Sequence, residues 1–178
     1  MQIQENGGIR IWNARGEGGM AANLQQGRTD SATRFIAAPA DVIYRAFVDP
    51  TAWPQWLPPE GMTGQVYEFD ARPGGKYRMV LTYDGDHANA GKTSDDTDIV
   101  EGRFAELVPN ERVVQLVTFE SDDPRFAGQM RMMWSLASAA GGTVVSIIAE
   151  DVPTGISKED HDVGLRSTLE NLARYVER

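Results

Sequence analysis

The stretch SKEDHDVGLRSTLENLARYVER (residues 157–178) predicts one long amphipathic helix at the end of the chain. Leu165, Leu169, Leu172 and Val176 recur at the spacing of a single helical face, with charged residues between them. Ser157 is a favourable N-cap residue for its first turn. At 3.6 residues per turn the helix has about five turns. An apolar face of that length needs a large partner surface to bury it.

The segments before this helix supply that surface, because most of them alternate apolar and polar residues as strands do. The predicted strands are SATRFIAA (31–38), GQVYEFDAR (64–72), KYRMVLTYD (76–84), TDIVEGRFAELVP (97–109), ERVVQLVTFE (111–120), QMRMMWSLAS (129–138) and TVVSIIAEDVP (143–153). A helix is predicted at 39–49, followed by DPTAWPQWLPPEG (49–61), where prolines leave room for one short helical turn. This order predicts an α+β fold, with an antiparallel sheet of about seven strands wrapped around the C-terminal helix.

Composition restricts the classes of partner. The net charge is −9, which repels phosphate backbones and disfavours nucleic acid and anionic membranes. No apolar run approaches the roughly 18 residues of a membrane span. The chain has no cysteine, which fits a reducing compartment. We therefore predict a cytoplasmic protein. No phosphate-binding, dinucleotide, zinc-protease or serine-hydrolase motif is present in the sequence, so no cofactor or metal is expected.

The first 28 residues differ from the rest, being rich in glycine with little periodicity. We interpret residues 1–28 as an N-terminal extension, either an ordered arm or a non-native start, and residues 29–178 as one domain. Within the extension, IRIWN (9–13) alternates like a short strand. Such a strand could pair with an exposed sheet edge of its own chain or of a second copy, so a homodimer is one expectation.

Five segments in order resemble the START-like, or SRPBCC, helix-grip superfamily. Within it they are most similar to the branch named after the activator of the heat-shock-protein-90 ATPase, also labelled polyketide-cyclase-like. The segments are AAPADVIYRAFVDPTAWPQWLPPEG, FDARPGGKYRM, EGRFAELVPNERVVQLVTF, GGTVVSI and EDVPTGISKEDHDVGLRSTLENLARYVE, from about residue 30 to 178. Family members often carry tryptophan after the glycine of the last helix. Here Leu165 follows Gly164, which implies a roomier or less aromatic cavity.

The resemblance implies a cavity between the sheet and the last helix, and the tryptophan segment would close one end of it. Small-molecule sites are mostly apolar and aromatic, and methionine adapts to varied neighbours. The same residues could equally be ordinary core. The predicted cavity residues are Trp53, Trp56, Leu57, Met62, Tyr77, Met79, Leu81, Tyr83, Met130, Met132, Trp134, Leu165 and Leu169.

Polar candidates are few. His161 lies four residues before Leu165, so it is either a polar contact or base at the cavity end or a surface residue. Its acidic neighbours in sequence favour its charged form. His87 and the carboxylates of the loop at 84–98 are expected to be solvated, because their spacing does not match a calcium loop. Most charged residues within strands are expected to point outward, namely Glu68, Asp70, Glu101, Arg103 and Glu150.

Three functions follow from these observations. The first is a binding module that holds an apolar or amphipathic small molecule in the cavity. The second is a cyclase- or hydrolase-type enzyme that uses the same cavity, with His161 or an inward carboxylate as its acid–base residue. The third is a chaperone-associated stress-response interaction domain, implied by the family name. The eukaryotic activators carry a second, N-terminal domain, and this sequence has nothing of that size before residue 29. We therefore rank the third function last.

Overall fold

Seven antiparallel strands form one curved sheet in the computed structural model, which describes residues 27–85 and 91–178. The predicted strand at 9–13 and His87 lie outside these residues. The sheet order is β1-β7-β6-β5-β4-β3-β2. The strands are β1 (Arg28–Ile36), β2 (Met62–Phe69), β3 (Lys76–Tyr83), β4 (Thr97–Val108), β5 (Arg112–Glu120), β6 (Met130–Ala139) and β7 (Gly142–Val152). This architecture confirms the predicted α+β, helix-grip fold.

Three α-helices accompany the sheet in the described residues: α1 (Ala40–Val48), α2 (Trp53–Trp56) and α3 (Lys158–Val176). A single 3-10 turn covers Pro124–Phe126. None of the helices in the described part of the chain is both long and apolar enough to cross a membrane. The long helix α3 packs against β1, α1 and α2, so it fills the concave side of the sheet.

The first strand begins earlier than its own sequence indicates. The polar residues Arg28 and Asp30 pair with the end of β7, at Val152 and Ala149. Because β7 is long, it extends the pairing beyond the part of β1 that alternates clearly. At its other end β1 stops at Ile36, and Pro39 adopts an extended conformation as the cap of α1.

Helix α3 buries the face that its leucine spacing predicts. Its start is capped by Ser157, whose hydroxyl accepts a hydrogen bond from the Asp160 backbone N–H at 3.1 Å. Such a cap satisfies one of the backbone donors that a helix start leaves unpaired. The buried residues of α3 are Leu165, Thr168, Leu169, Leu172 and Ala173.

Aromatic side chains fill one end of the space between sheet and helices. Trp56 and Trp134 both contact Phe47 edge-on, with ring centroids 4.9 Å apart in each case. The indole nitrogen of Trp53 donates to the carbonyl of Phe47 at 2.9 Å, and that of Trp56 donates to the carbonyl of Ala46 at 3.1 Å. Buried tryptophan needs such a partner. These bonds join the proline-rich α2 segment to α1 and make it a rigid end wall.

Candidate ligand-binding site

A cavity of about 850 Å³ lies between the concave face of the sheet and the first half of α3. Ligand pockets in proteins have volumes of roughly 300–1,000 Å³. The inner walls are buried and mostly apolar, and they come from β3 to β7 and from α2. These wall residues include Trp53, Tyr77, Met79, Val117, Met130, Met132, Trp134 and Ile147.

All but two of the predicted cavity residues line this space. The exceptions are Trp56 and Leu169, which are fully buried but belong to the packed core and not to the cavity wall. Trp56 packs between Phe47 and Trp134. Leu169 lies beyond the point on α3 where the cavity ends.

Helix α3 presents one stripe of residues to the cavity, at positions i, i+3, i+4 and i+7: His161, Gly164, Leu165 and Thr168. A Cβ atom placed on Gly164 would meet no other atom within 4 Å. Glycine inside a helix costs about 1 kcal/mol relative to alanine. The helix therefore carries an unfavourable residue where any larger side chain would occupy cavity space.

The segment that follows α2 is fixed to α3 by polar contacts. The Thr168 hydroxyl donates to the carbonyl of Leu57 at 3.3 Å, and the Asn171 amide donates to the carbonyl of Pro58 at 2.8 Å. The Glu60 backbone N–H donates to Ser167 Oγ at 2.7 Å. These bonds satisfy the backbone of a loop that cannot form a helix, and they hold this side of the cavity in place.

Two neutral polar groups lie among the apolar walls. Gln115 is 4% exposed, and its Oε1 accepts a hydrogen bond from the Trp134 indole at 3.0 Å. Tyr77 is also 4% exposed. Burial raises the pKa of Tyr77 well above its usual value, because a phenolate without solvent is unfavourable. Tyr77 therefore carries a neutral hydroxyl.

The mouth of the cavity contains an Asp–His contact. His161 Nδ1 lies 2.7 Å from Oδ2 of Asp30, which is 1% exposed. Burial by itself raises the pKa of Asp30, but hydrogen bonds from His161 and Arg28 outweigh it and lower that pKa below its usual value. An ionised carboxylate only accepts hydrogen bonds, so Nδ1 of His161 carries the hydrogen. Asp30 on β1, and not the acidic neighbours in sequence, is the carboxylate that His161 contacts.

Lys92 and Asp98 form an ion pair beside the cavity, and the buried Asp98 corrects the expectation that the acidic loop is fully solvated. Asp98 is 2% exposed, and its carboxylate accepts bonds from the backbone N–H and the ammonium of Lys92, each at 2.5 Å. The Lys92 ammonium also lies 5.0 Å from the centre of the Phe119 ring. Burial, together with the charges of Asp98 and Asp160, raises the pKa of Tyr83 to about 12. Asp98 faces the cavity from β4, where the Lys92 side chain and backbone cover its carboxylate, and no spacing along the chain reveals this placement.

The other charged strand residues named above do not line the cavity. Glu101 pairs with Arg78, and Glu150 pairs with Arg131 at 2.7 Å, all partly solvent-accessible. Within residues 27–85 and 91–178, no three histidine or acidic side chains come together as metal ligands.

The residues of this site that sequence reasoning missed include Asp30, Lys92, Gln115 and Gly164, together with wall residues such as Val117 and Ile147. Two had a readable signal. Gln115 is a polar residue inside the apolar run VVQLV, and Gly164 is a glycine inside a helical pattern. Asp30 and Lys92 had none, because their partners, His161 and Asp98, become neighbours through the fold.

Comparison with known proteins gives one family and many similar folds. The family model described as Activator of Hsp90 ATPase homolog 1-like protein matches residues 37–177. No curated protein matches the chain significantly in sequence.

Among solved structures, a protein from Chromobacterium violaceum is 36% identical with a TM-score of 0.75, covering 84% of this chain and 97% of its own. A protein from Silicibacter pomeroyi, named for the same family, has a TM-score of 0.68 at 18% identity and covers 84% of this chain and 98% of its own. A related solution structure from Aeromonas hydrophila has a TM-score of 0.63 at 18% identity, with coverages of 84% and 92%. The last two show similarity of fold alone.

Proposed function

The chain belongs to the Activator of Hsp90 ATPase homolog 1-like family, and from that premise we propose that it holds an apolar or amphipathic small molecule in the cavity between the sheet and α3. The observation that carries this proposal is a mostly apolar cavity of about 850 Å³ that opens to solvent and leaves Gly164 without a neighbouring atom on its cavity side. A packed interior would have used that glycine position for a side chain.

The composition of the walls supports a permissive site. Met79, Met130 and Met132 line the cavity together, and methionine side chains adapt to ligands of different shape. The rim is charged, with Asp160 and Arg125 exposed and His161 half-buried. Apolar walls with a charged rim suit a molecule whose apolar body lies inside and whose polar end reaches solvent.

A titration with N-phenyl-1-naphthylamine, an apolar dye that brightens away from water, tests this function. We expect saturable binding to the natural sequence and to Gly164→Ala, which adds one methyl group. Gly164→Trp places an indole in the cavity, and we expect at least tenfold weaker binding. Circular dichroism and thermal melting check that both variants fold. Equal affinity for Gly164→Trp and the natural sequence would place the dye elsewhere and contradict the proposal.

A second candidate is acid–base catalysis at the mouth of the same cavity. The contact between His161 and Asp30 favours it, because an imidazole whose Nδ1–H is held by a carboxylate can use Nε2 as a base. Hydrolysis of p-nitrophenyl butyrate is one assay. Turnover that falls in both His161→Gln and Asp30→Asn would support this role, whereas equal turnover in all three proteins would remove it.

The family description also names an activator of the Hsp90 ATPase, which suggests a chaperone-associated interaction domain. We rank this role last of the three candidate functions. Such a role predicts stimulation of a chaperone ATPase that survives Gly164→Trp, since it does not use the cavity. A cytoplasmic location, a division into residues 1–28 and 29–178, and a homodimer formed through residues 9–13 stay predictions.

A further inference from the structure

The orientation of Gln115 is fixed by its neighbour. The Trp134 indole nitrogen can only donate a hydrogen bond, so the Gln115 atom that it contacts at 3.0 Å must be the carbonyl oxygen. The amide nitrogen therefore points the other way. Within residues 27–85 and 91–178 this nitrogen has no hydrogen-bond acceptor, and Gln115 lines the cavity. Two N–H donors are thus presented to an apolar space.

A second polar group reaches the same region. Tyr77 lies opposite Gly102 in the sheet, and a Cβ on Gly102 would lie 2.3 Å from the Tyr77 hydroxyl oxygen. The phenol ring therefore extends across β4 towards β5. Its hydroxyl makes no hydrogen bond to any residue that the structure describes.

The two groups share one face and one end of the cavity. Gly102 pairs with Val117 of β5, and Gln115 precedes Val117 by two residues, so it points to the same side of the sheet. Both Tyr77 and Gln115 are 4% exposed, whereas Arg125 and Asp160, which also line the cavity, are exposed. Neither Gln115 Nε2 nor Tyr77 Oη is among the fully enclosed unpaired atoms of the described residues, so both can be reached from the cavity and can donate to a ligand there.

We propose that the deep end of the cavity is a subsite for one uncharged oxygen acceptor of the ligand, such as a ketone or amide carbonyl, held by Gln115 Nε2 and Tyr77 Oη. The inference rests on the proposed binding function. Both groups are neutral, the Lys92 ammonium is paired with Asp98, and Arg125 is exposed at the rim. A carboxylate at the deep end would lose its hydration with no cation to compensate. The ligand class is therefore an apolar molecule with a carbonyl on its inward end.

Displacement of N-phenyl-1-naphthylamine by two matched ligands tests the subsite. Tetralin and 1-tetralone have the same fused rings and differ by the carbonyl. Each ligand is compared with itself across proteins, so that their different hydrophobicity cancels. In Tyr77→Phe and Gln115→Met we expect about three- to tenfold weaker binding of 1-tetralone, as for one lost neutral hydrogen bond. Tetralin should keep or improve its affinity.

Tyr67→Phe is the matched control, because Tyr67 is 62% exposed and lies outside this cavity. Gln115→Met also removes the hydrogen-bond acceptor of the Trp134 indole, so the melting temperature of this variant is compared with that of the natural sequence. If Gln115→Met does not fold, the result for Tyr77→Phe alone decides the test. The subsite proposal would be overturned if the variants changed the affinities for tetralin and 1-tetralone equally, or if Tyr77→Phe left the affinity for 1-tetralone unchanged. Tetralin binding to the natural sequence would in that case still support the cavity as a binding site. Failure of tetralin, 1-tetralone and the dye alike to bind the natural sequence would overturn the binding function itself.

Discussion

Replacing Gly102 with alanine tests how the inner wall of the cavity is built. A methyl group at this position would lie 2.3 Å from both Cζ and Oη of Tyr77, so one of the two residues must move. Tyr77 has little freedom, because its ring packs 4.8 Å from that of Trp53 and 5.3 Å from that of Phe104. The strain should therefore appear as lost stability.

The magnitude follows from two opposing terms. Overpacking a well-packed interior costs about 1–3 kcal/mol. Alanine in a strand is otherwise favoured over glycine by roughly 0.5–1 kcal/mol. In a Tyr77→Val background the ring is gone, and only the favourable term for Gly102→Ala remains. The favourable term is the same in both backgrounds and cancels in the comparison, so the two substitutions should couple by the overpacking term alone, about 1–3 kcal/mol.

Urea unfolding of the natural sequence, both single variants and the double variant gives this coupling as a double-mutant cycle. Gly102→Ala should destabilise the natural sequence and stabilise Tyr77→Val. It should also weaken dye binding, because a displaced phenol ring enters the cavity. A coupling below about 0.5 kcal/mol, the range found for independent sites, would show that Tyr77 does not lie over Gly102.

Three further substitutions test individual contacts. Gly164→Ala should stabilise the protein by about 1 kcal/mol and raise Tm by roughly 2–4 °C. A lower Tm would mean that the space next to Gly164 on α3 is already occupied. Ser157→Ala should lower the free energy of unfolding by about 1 kcal/mol through the lost N-cap. An unchanged free energy of unfolding would show that the Ser157 hydroxyl does not cap the helix. Asp30→Asn should cost about 1.5–3 kcal/mol at neutral pH. Because the pKa of Asp30 is lowered on folding, its contribution is complete above about pH 5 and disappears as the pH falls through the folded pKa. Urea unfolding at several pH values should show the difference in free energy of unfolding between the natural sequence and Asp30→Asn shrink as the pH falls. A difference that is the same at every pH would contradict the lowered pKa of Asp30.

The fold was predictable from the sequence because its elements have strong periods. The leucine spacing of α3 and the alternation in β3 and β6 give both the element type and the buried face. Element ends were less predictable, since β1 begins at Arg28 through pairing with β7. Where a strand ends depends on how far it pairs with its neighbour in the sheet, and the sequence of a single strand does not contain that information.

The sequence predicted which residues face the cavity but not where the cavity ends. Alternation places Tyr77, Met79 and Met130 on the concave face, but it does not say where packing ends and open space begins. Leu169 follows Leu165 by one helical turn, yet the cavity ends between them. That limit depends on how far the aromatic cluster around Phe47 extends beneath α3, which is a property of tertiary packing.

Methyl NMR of the methionines tests the central claim most directly, because they report on both faces of the sheet. Met79, Met130 and Met132 line the cavity, while Met133 follows Met132 on β6 and points to the opposite face. On titration with N-phenyl-1-naphthylamine, the methyl signals of Met79, Met130 and Met132 should shift together and saturate, and that of Met133 should stay in place. Saturable dye binding with the cavity methyl signals unmoved, or with Met133 shifted most, would contradict the claim that the ligand lies between the sheet and α3.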